Sequence, residues 1–169
     1  DIVFKNASGT ERMRLASDGL ISTTNHAECL AYDGGQNYSG GDASTHICGV
    51  DTFNYNRGGF TLSSNKLIVP KAGIYRCTFG FESQITNSAY AIRAMKICPR
   101  INGTLYSSYS SHWNNCTNSR HISNIHFNFK NNYYLNLSAN DQLDSEFQVY
   151  NGSSRSEAFA FWIQMFYIG

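Results

Sequence analysis

The densest group of residues with binding chemistry lies between Gly103 and His121, where the chain reads Gly-Thr-Leu-Tyr-Ser-Ser-Tyr-Ser-Ser-His-Trp-Asn-Asn-Cys-Thr-Asn-Ser-Arg-His. Tyrosine and tryptophan offer rigid amphipathic area with few torsions to freeze, and serine and asparagine add short, adaptable hydrogen bonds, as in an antibody paratope. Sugar rings present apolar C–H faces edged by hydroxyls, so aromatic stacking with amide and guanidinium hydrogen bonds suits a glycan. The residues expected to form a ligand-binding surface are Tyr106, Tyr109, His112, Trp113, Asn114, Asn115 and Arg120. The same pattern has a structural alternative, in which Tyr106 and Tyr109 alternate along an ordinary strand and Trp113 plugs a core edge.

Catalytic raw material is sparse. The chain has no G-x-S-x-G elbow, no H-E-x-x-H, no Gly-rich phosphate loop and no close carboxylate pair beside aromatics. Of its twelve acidic residues, Asp18 and Asp141 sit in turn sequences and Glu11 in the N-terminal unit, and a polysaccharide depolymerase would have to be built on carboxylates such as Glu82, Glu146 or Glu157. The expectation is that the protein is not an enzyme. The five histidines, His26, His46, His112, His121 and His126, include no H-x-H pair, and exposed loop histidines account for them as well as a ligand set on a symmetry axis would. Asp33 and Asp42 lie in a Gly-rich stretch, expected as a loop from Tyr32 to Ser44, with Asp51 beyond it, but a hard cation needs several converging oxygens. Neither a metal nor a cofactor is expected.

The cysteines, Cys29, Cys48, Cys77, Cys98 and Cys116, are widely spaced with no C-x-x-C pair, which argues against zinc, and their odd number leaves one thiol unpaired. Cys77 alternates in phase with Tyr75, Phe79 and Phe81 and is expected inside a β core. The Asn-x-Ser/Thr sequons at Asn6, Asn37, Asn102, Asn115, Asn136 and Asn151 follow from an abundance of these residue types.

The elements that must position these residues are strands. No window of a dozen residues holds a helical apolar stripe, whereas period-two alternation recurs throughout. Strands are expected at Glu28–Tyr32, Lys66–Val69, Gly73–Ser83, Ala91–Ile101, Ile122–Phe129, Tyr133–Leu137, Gln142–Tyr150 and Phe159–Ile168, separated by turn sequences such as Asn102-Gly103 and Ala139-Asn140-Asp141. In the last strand Phe159, Phe161, Ile163, Met165 and Tyr167 form one apolar face, and Ala160, Trp162, Phe166 and Ile168 dominate the other. A sandwich normally leaves each sheet one wet face, so the second face is expected to meet another subunit or the chain's own loops.

A length of 169 residues allows one domain with a small appendage, and a formal charge of +1 with no Lys/Arg run removes the main electrostatic term of nucleic-acid binding. No apolar run reaches the ~18 residues of a membrane-spanning helix, so the chain is not expected to be membrane-embedded. The opening Asp1-Ile2-Val3-Phe4-Lys5-Asn6 has no signal-peptide layout and reads as the continuation of something longer. Residues 1–23 form a distinct unit with Val3-Phe4, Met13, Leu15 and Leu20-Ile21 as its apolar points. Short strands of this kind cannot bury enough surface alone, but copies from several chains can supply each other's missing face.

The stretch Phe4-Lys5-Asn6-Ala7-Ser8-Gly9-Thr10-Glu11-Arg12-Met13-Arg14-Leu15-Ala16-Ser17-Asp18-Gly19-Leu20-Ile21 resembles the short repeat of bacteriophage tail-fibre shafts, an N-x-x-G-x-E-x-M-R core followed by an apolar residue and a turn. The resemblance implies three parallel chains in a shaft that precedes a folded tip. The remainder, residues 24–169, resembles the globular head of complement's collagen-tailed recognition subunit and of the tumour necrosis factor superfamily. The matching residues are Phe53-Asn54, Gly59-Phe60-Thr61-Leu62 and Asn65-Lys66-Leu67-Ile68-Val69-Pro70-Lys71-Ala72-Gly73-Ile74-Tyr75. A second block, Leu135-Asn136-Leu137-Ser138-Ala139-Asn140-Asp141-Gln142-Leu143, has Asn140 where that family has glycine. The closing aromatic strand matches the family's terminal strand on the trimer-facing sheet.

These resemblances imply an all-β antiparallel jelly-roll sandwich, trimeric, with a short N-terminal β fibre-shaft segment. The function expected is the receptor-binding tip of a trimeric fibre, an adhesin attaching to a bacterial surface glycan or outer-membrane receptor. Its place would be extracellular, at the tip of a virion tail fibre or a bacterial surface fibre. The alternative is a secreted head of the complement or tumour necrosis factor type with a protein receptor.

Overall fold

The computed structural model describes residues 1–15, 17, 19, 21–23, 27–40, 45–85, 94–106, 112–115, 125–150 and 155–169. The first three strands, β1 (Ile2–Lys5), β2 (Glu11–Leu15) and β3 (Ile21–Thr23), form a sheet of their own in the order β1-β2-β3. A turn joins the first two: Asn6 N–H donates to Thr10 O, Gly9 N–H to Asn6 O, and Gly9 takes the positive φ of 80° that glycine tolerates. Register places Ile2 opposite Leu15 and Phe4 opposite Met13, so these four side chains share one face. Ile2 and Phe4 are exposed on it.

The other strands build two packed sheets. The first holds β4 (Glu28–Gly40), β6 (Thr52–Arg57), β9 (Gly73–Ile85), β13 (Ile125–Leu137) and β15 (Arg155–Tyr167), in the order β13-β9-β15-β4-β6. The second holds β7 (Thr61–Ser63), β8 (Lys66–Ile68), β10 (Ala94–Ile101), β11 (Thr104–Leu105) and β14 (Gln142–Tyr150), in the order β11-β10-β14-β8-β7. Within it β5 (Thr45–Cys48) pairs with β14 and β12 (His112–Asn115) with β10. All described pairings are antiparallel, and the chain crosses repeatedly between the sheets, as from β4 to β5, β5 to β6, β6 to β7, β8 to β9, β9 to β10, β12 to β13, β13 to β14 and β14 to β15. Alternation implies the strands, and the resemblance stated above implies this antiparallel jelly-roll sandwich.

The core lies between the inner faces. Tyr75, Cys77, Phe79 and Phe81 of β9 and Phe161, Ile163 and Met165 of β15 meet Ile97, Leu143, Phe147 and Leu67 from the second sheet, all fully buried. Phe81 and Phe147 cross the gap edge to face at 4.5 Å, and the Tyr133 hydroxyl donates to Ile97 O at 2.9 Å, joining the sheets by a polar contact as well. Cys77 is in the core as its alternation predicts. Burial raises the thiols of Cys29 and Cys48 to about 12 and pushes that of Cys77 higher.

Two sequence expectations are corrected. The Gly-rich stretch beginning at Tyr32 is strand to Gly40 and not loop, because Arg155–Phe159 of β15 pairs with Gln36–Gly40 and supplies a hydrogen-bond ladder that outweighs glycine's weak strand preference. The two strands expected around Phe129 and Tyr133 are one, β13, since β9 pairs with it continuously from Gly73 to Ile85. Asn131 and Asn132, read as a break, lie within the ladder, and Asn132 Oδ1 accepts from Thr78 Oγ1 at 2.7 Å. Residues 41–44, 91–93 and 122–124, which other strand and loop expectations covered, lie outside the described residues.

Candidate functional site

The aromatic segment expected to bind ligand starts from a tight hairpin. Ile101 and Thr104 pair across Asn102-Gly103, whose φ values of 52° and 80° are those of a primed turn that favours Asn-Gly. Asn102 anchors the turn to β14: its N–H donates to Gln142 O, its Oδ1 accepts from Gln142 N, and its Nδ2 donates to Asp141 Oδ1 at 2.8 Å. Asp141 also accepts from Ser138 N–H, and Asn140 takes the left-handed φ of 70°, which asparagine tolerates best after glycine.

Arg100 holds the stem of the same hairpin. Its Nη2 and Nε donate to Gly103 O at 2.8 and 3.2 Å, and its Nη1 lies 3.5 Å from Asp144 Oδ2. Asp144 is only 3% exposed, although register places it opposite Arg100 on the outer face of its sheet. Its second oxygen, Oδ1, is buried without a hydrogen-bond partner among the described residues. Burial raises this carboxyl group above the ordinary aspartate value, and the charges of Arg100 and Lys66 oppose the shift. Arg100 and Asp144 were absent from the sequence expectation; an Arg two residues before an Asn-Gly turn was the available signal.

Of the expected site residues, the structure describes Tyr106, His112, Trp113, Asn114 and Asn115. Tyr106 is exposed, and its N–H donates to Pro99 O at 2.9 Å. His112, Trp113, Asn114 and Asn115 form β12 and pair with Ile97, Lys96, Met95 and Ala94. The backbones of Tyr106 and of β12 thus follow one edge of β10, so five of the seven expected residues are brought to a single border of the second sheet. Tyr109 and Arg120 lie outside the described residues.

A second surface emerges on the outer face of the first sheet. Register sets Tyr134, Arg76, Phe166 and Glu28 in one row, Asn132, Thr78, Gln164 and Leu30 in the next, and Lys130, Gly80, Trp162 and Tyr32 in a third. The Trp162 indole lies across Gly80, where an added Cβ would stand 2.8 Å from Nε1, and the Arg76 guanidinium sits 4.8 Å from the Phe166 ring centre. Gln164 Nε2 donates to Tyr55 Oη at 3.0 Å, and Leu30, Tyr32, Asn54, Trp162 and Gln164 line a groove of about 370 Å³. Tyr134 (66% exposed), Ile168 (55%) and Ile74 (47%) leave much apolar area uncovered on this side.

No family model and no curated protein matches the chain. Solved structures similar to it include the following two. One is Eiger TNF from S. frugiperda, with a TM-score of 0.49, 13% identity and coverage of 85% of this chain and 92% of that one. The other is the globular domain of zebrafish complement 1qA protein, with a TM-score of 0.46, 9% identity and coverage of 85% and 98%.

Proposed function

We propose that this protein is the receptor-binding tip of a homotrimeric fibre: residues 1–23 end a shaft, and residues 24–169 form an adhesive head. Three heads pack through the outer face of the first sheet, outside the cell. The partner is a bacterial surface glycan or outer-membrane component, bound by Tyr106, His112, Trp113, Asn114 and Asn115 of the β10 border together with Tyr109 and Arg120.

The observation that carries this reading is the uncovered apolar face formed by Ile74, Tyr134, Phe166 and Ile168 beside Trp162 and Tyr32. A single sandwich in water has no use for so much aromatic area on its wet side, whereas a subunit interface does. The face shared by Ile2, Phe4, Met13 and Leu15 gives independent support, because a three-stranded sheet with one uncovered apolar face is marginal until other copies close it. Among the described residues no helix is long and apolar enough to cross a membrane.

The binding role is tested with fluorescently labelled protein on a panel of bacterial strains, comparing wild type with Trp113→Ala. Loss of a central aromatic anchor costs about 2 kcal/mol per site, roughly thirtyfold, and avidity in a trimer multiplies it. The expected result is lost adhesion at an unchanged melting temperature. Unchanged adhesion removes Trp113 from the receptor surface, and release of soluble sugar from the cells would point to a depolymerase instead.

A further inference from the structure

Besides Asn102, whose side chain bonds to Asp141 and Gln142, Arg100 links the fixed body of the second sheet to the turn from which the aromatic segment departs. On one side its Nη1 faces the buried carboxylate of Asp144; on the other its Nε and Nη2 converge on Gly103 O. Two residues beyond that carbonyl the chain leaves β11, and Tyr106 is held by its single backbone bond to Pro99. The exposed hairpin is too short to fix its own direction, since β11 has only two residues and both are exposed. The planar guanidinium fork can satisfy two acceptors at a set angle, which a lysine ammonium cannot.

We propose that Arg100 and Asp144 are positioning residues for the recognition segment, with one guanidinium fastening the Gly103 carbonyl to β14 and so setting the direction in which Thr104 to Tyr106 leave the hairpin. The proposal rests on the reading of that segment as the receptor surface. The cations that act on the Asp144 carboxylate are Arg100 from β10 and Lys66 from β8. Of these, only Arg100 also contacts the hairpin. Lys66 Nζ is directed to Gln142 Oε1 at 3.2 Å. Asp144 acts by holding Arg100 in place, and burial of its carboxylate keeps that anchor out of competition with water.

The test is amide hydrogen exchange by mass spectrometry on intact wild-type, Arg100→Lys and Asp144→Asn proteins, with the β9 peptide as internal control. Arg100→Lys keeps the charge beside Asp144 and removes the fork. The expected result is exchange roughly tenfold faster across residues 104–106 and 112–115 in both variants, the size of one lost charge-assisted hydrogen bond, with no acceleration in the β9 peptide. Equal exchange of these residues in all three proteins would overturn the proposal. If Arg100→Lys fails to fold, Asp144→Asn, which conserves volume, decides alone. Trp113→Ala adhesion is scored separately: faster local exchange with adhesion insensitive to Trp113 would leave the positioning intact and remove the receptor role.

Discussion

A carboxylate on the outer face of a sheet that is nonetheless almost inaccessible to water carries a cost that depends on pH. Asp144 has its pKa raised by burial, and Arg100 at 3.5 Å only partly offsets this. A raised folded-state pKa means that the native protein binds this proton more tightly than the unfolded chain does. The associated stability is fully present below the unfolded value and is lost as pH rises through the folded one. Asp144→Asn should therefore gain melting temperature relative to wild type more at pH 7 than at pH 4, as thermal melts at both values will show. Gly73 provides a second residue-level test. Its φ is +143°, and an added Cβ would lie 2.5 Å from Tyr167 Cε2 and 2.6 Å from Gly169 O. Gly73→Ala should cost about 2 kcal/mol or more, measured by urea denaturation, because both the backbone and the packed ring must shift. The buried thiols supply a third: Cys29, Cys48 and Cys77 should resist iodoacetamide in the native protein and react once it is unfolded.

At the scale of elements, β15 explains what the sequence could reveal and what it could not. Its alternation of Phe161, Ile163 and Met165 against Trp162 and Phe166 was legible as a strand with two apolar faces, and the structure places the first set in the core and the second outside. Tyr134 and Ile74, which extend the outer apolar face, were not legible, because register between β9 and β13 is a long-range pairing that local alternation does not encode. For the same reason β4 was cut short at its glycines and β13 was split at its asparagines: both depend on ladders offered by distant strands. The site divides similarly. The aromatic segment could be found by composition, whereas Arg100, Asp144 and the Asp141–Asn102 anchor become visible only once β10 and β14 are side by side. The outer face yields a prediction of its own. Phe166 is half-buried beside Arg76, so Phe166→Asp gains a nearby cation and should remain folded as a single chain while losing its partners. Circular dichroism and size-exclusion chromatography on the variant will separate dissociation from unfolding.

For the whole molecule, the proposed adhesion would depend on how many copies act together. One shallow aromatic surface would bind a sugar weakly, and three held on a common axis would bind a cell surface by effective concentration without any new contact. Assembly also gives a role to the two apolar faces that a lone chain leaves in water, the one on β1 and β2 and the one across β13, β9, β15 and β4. The chain's own mass is 18.9 kDa. Multi-angle light scattering at micromolar concentration therefore tests the trimeric head most directly. A mass about three times that of one chain is the predicted result, and a mass near 18.9 kDa would contradict it.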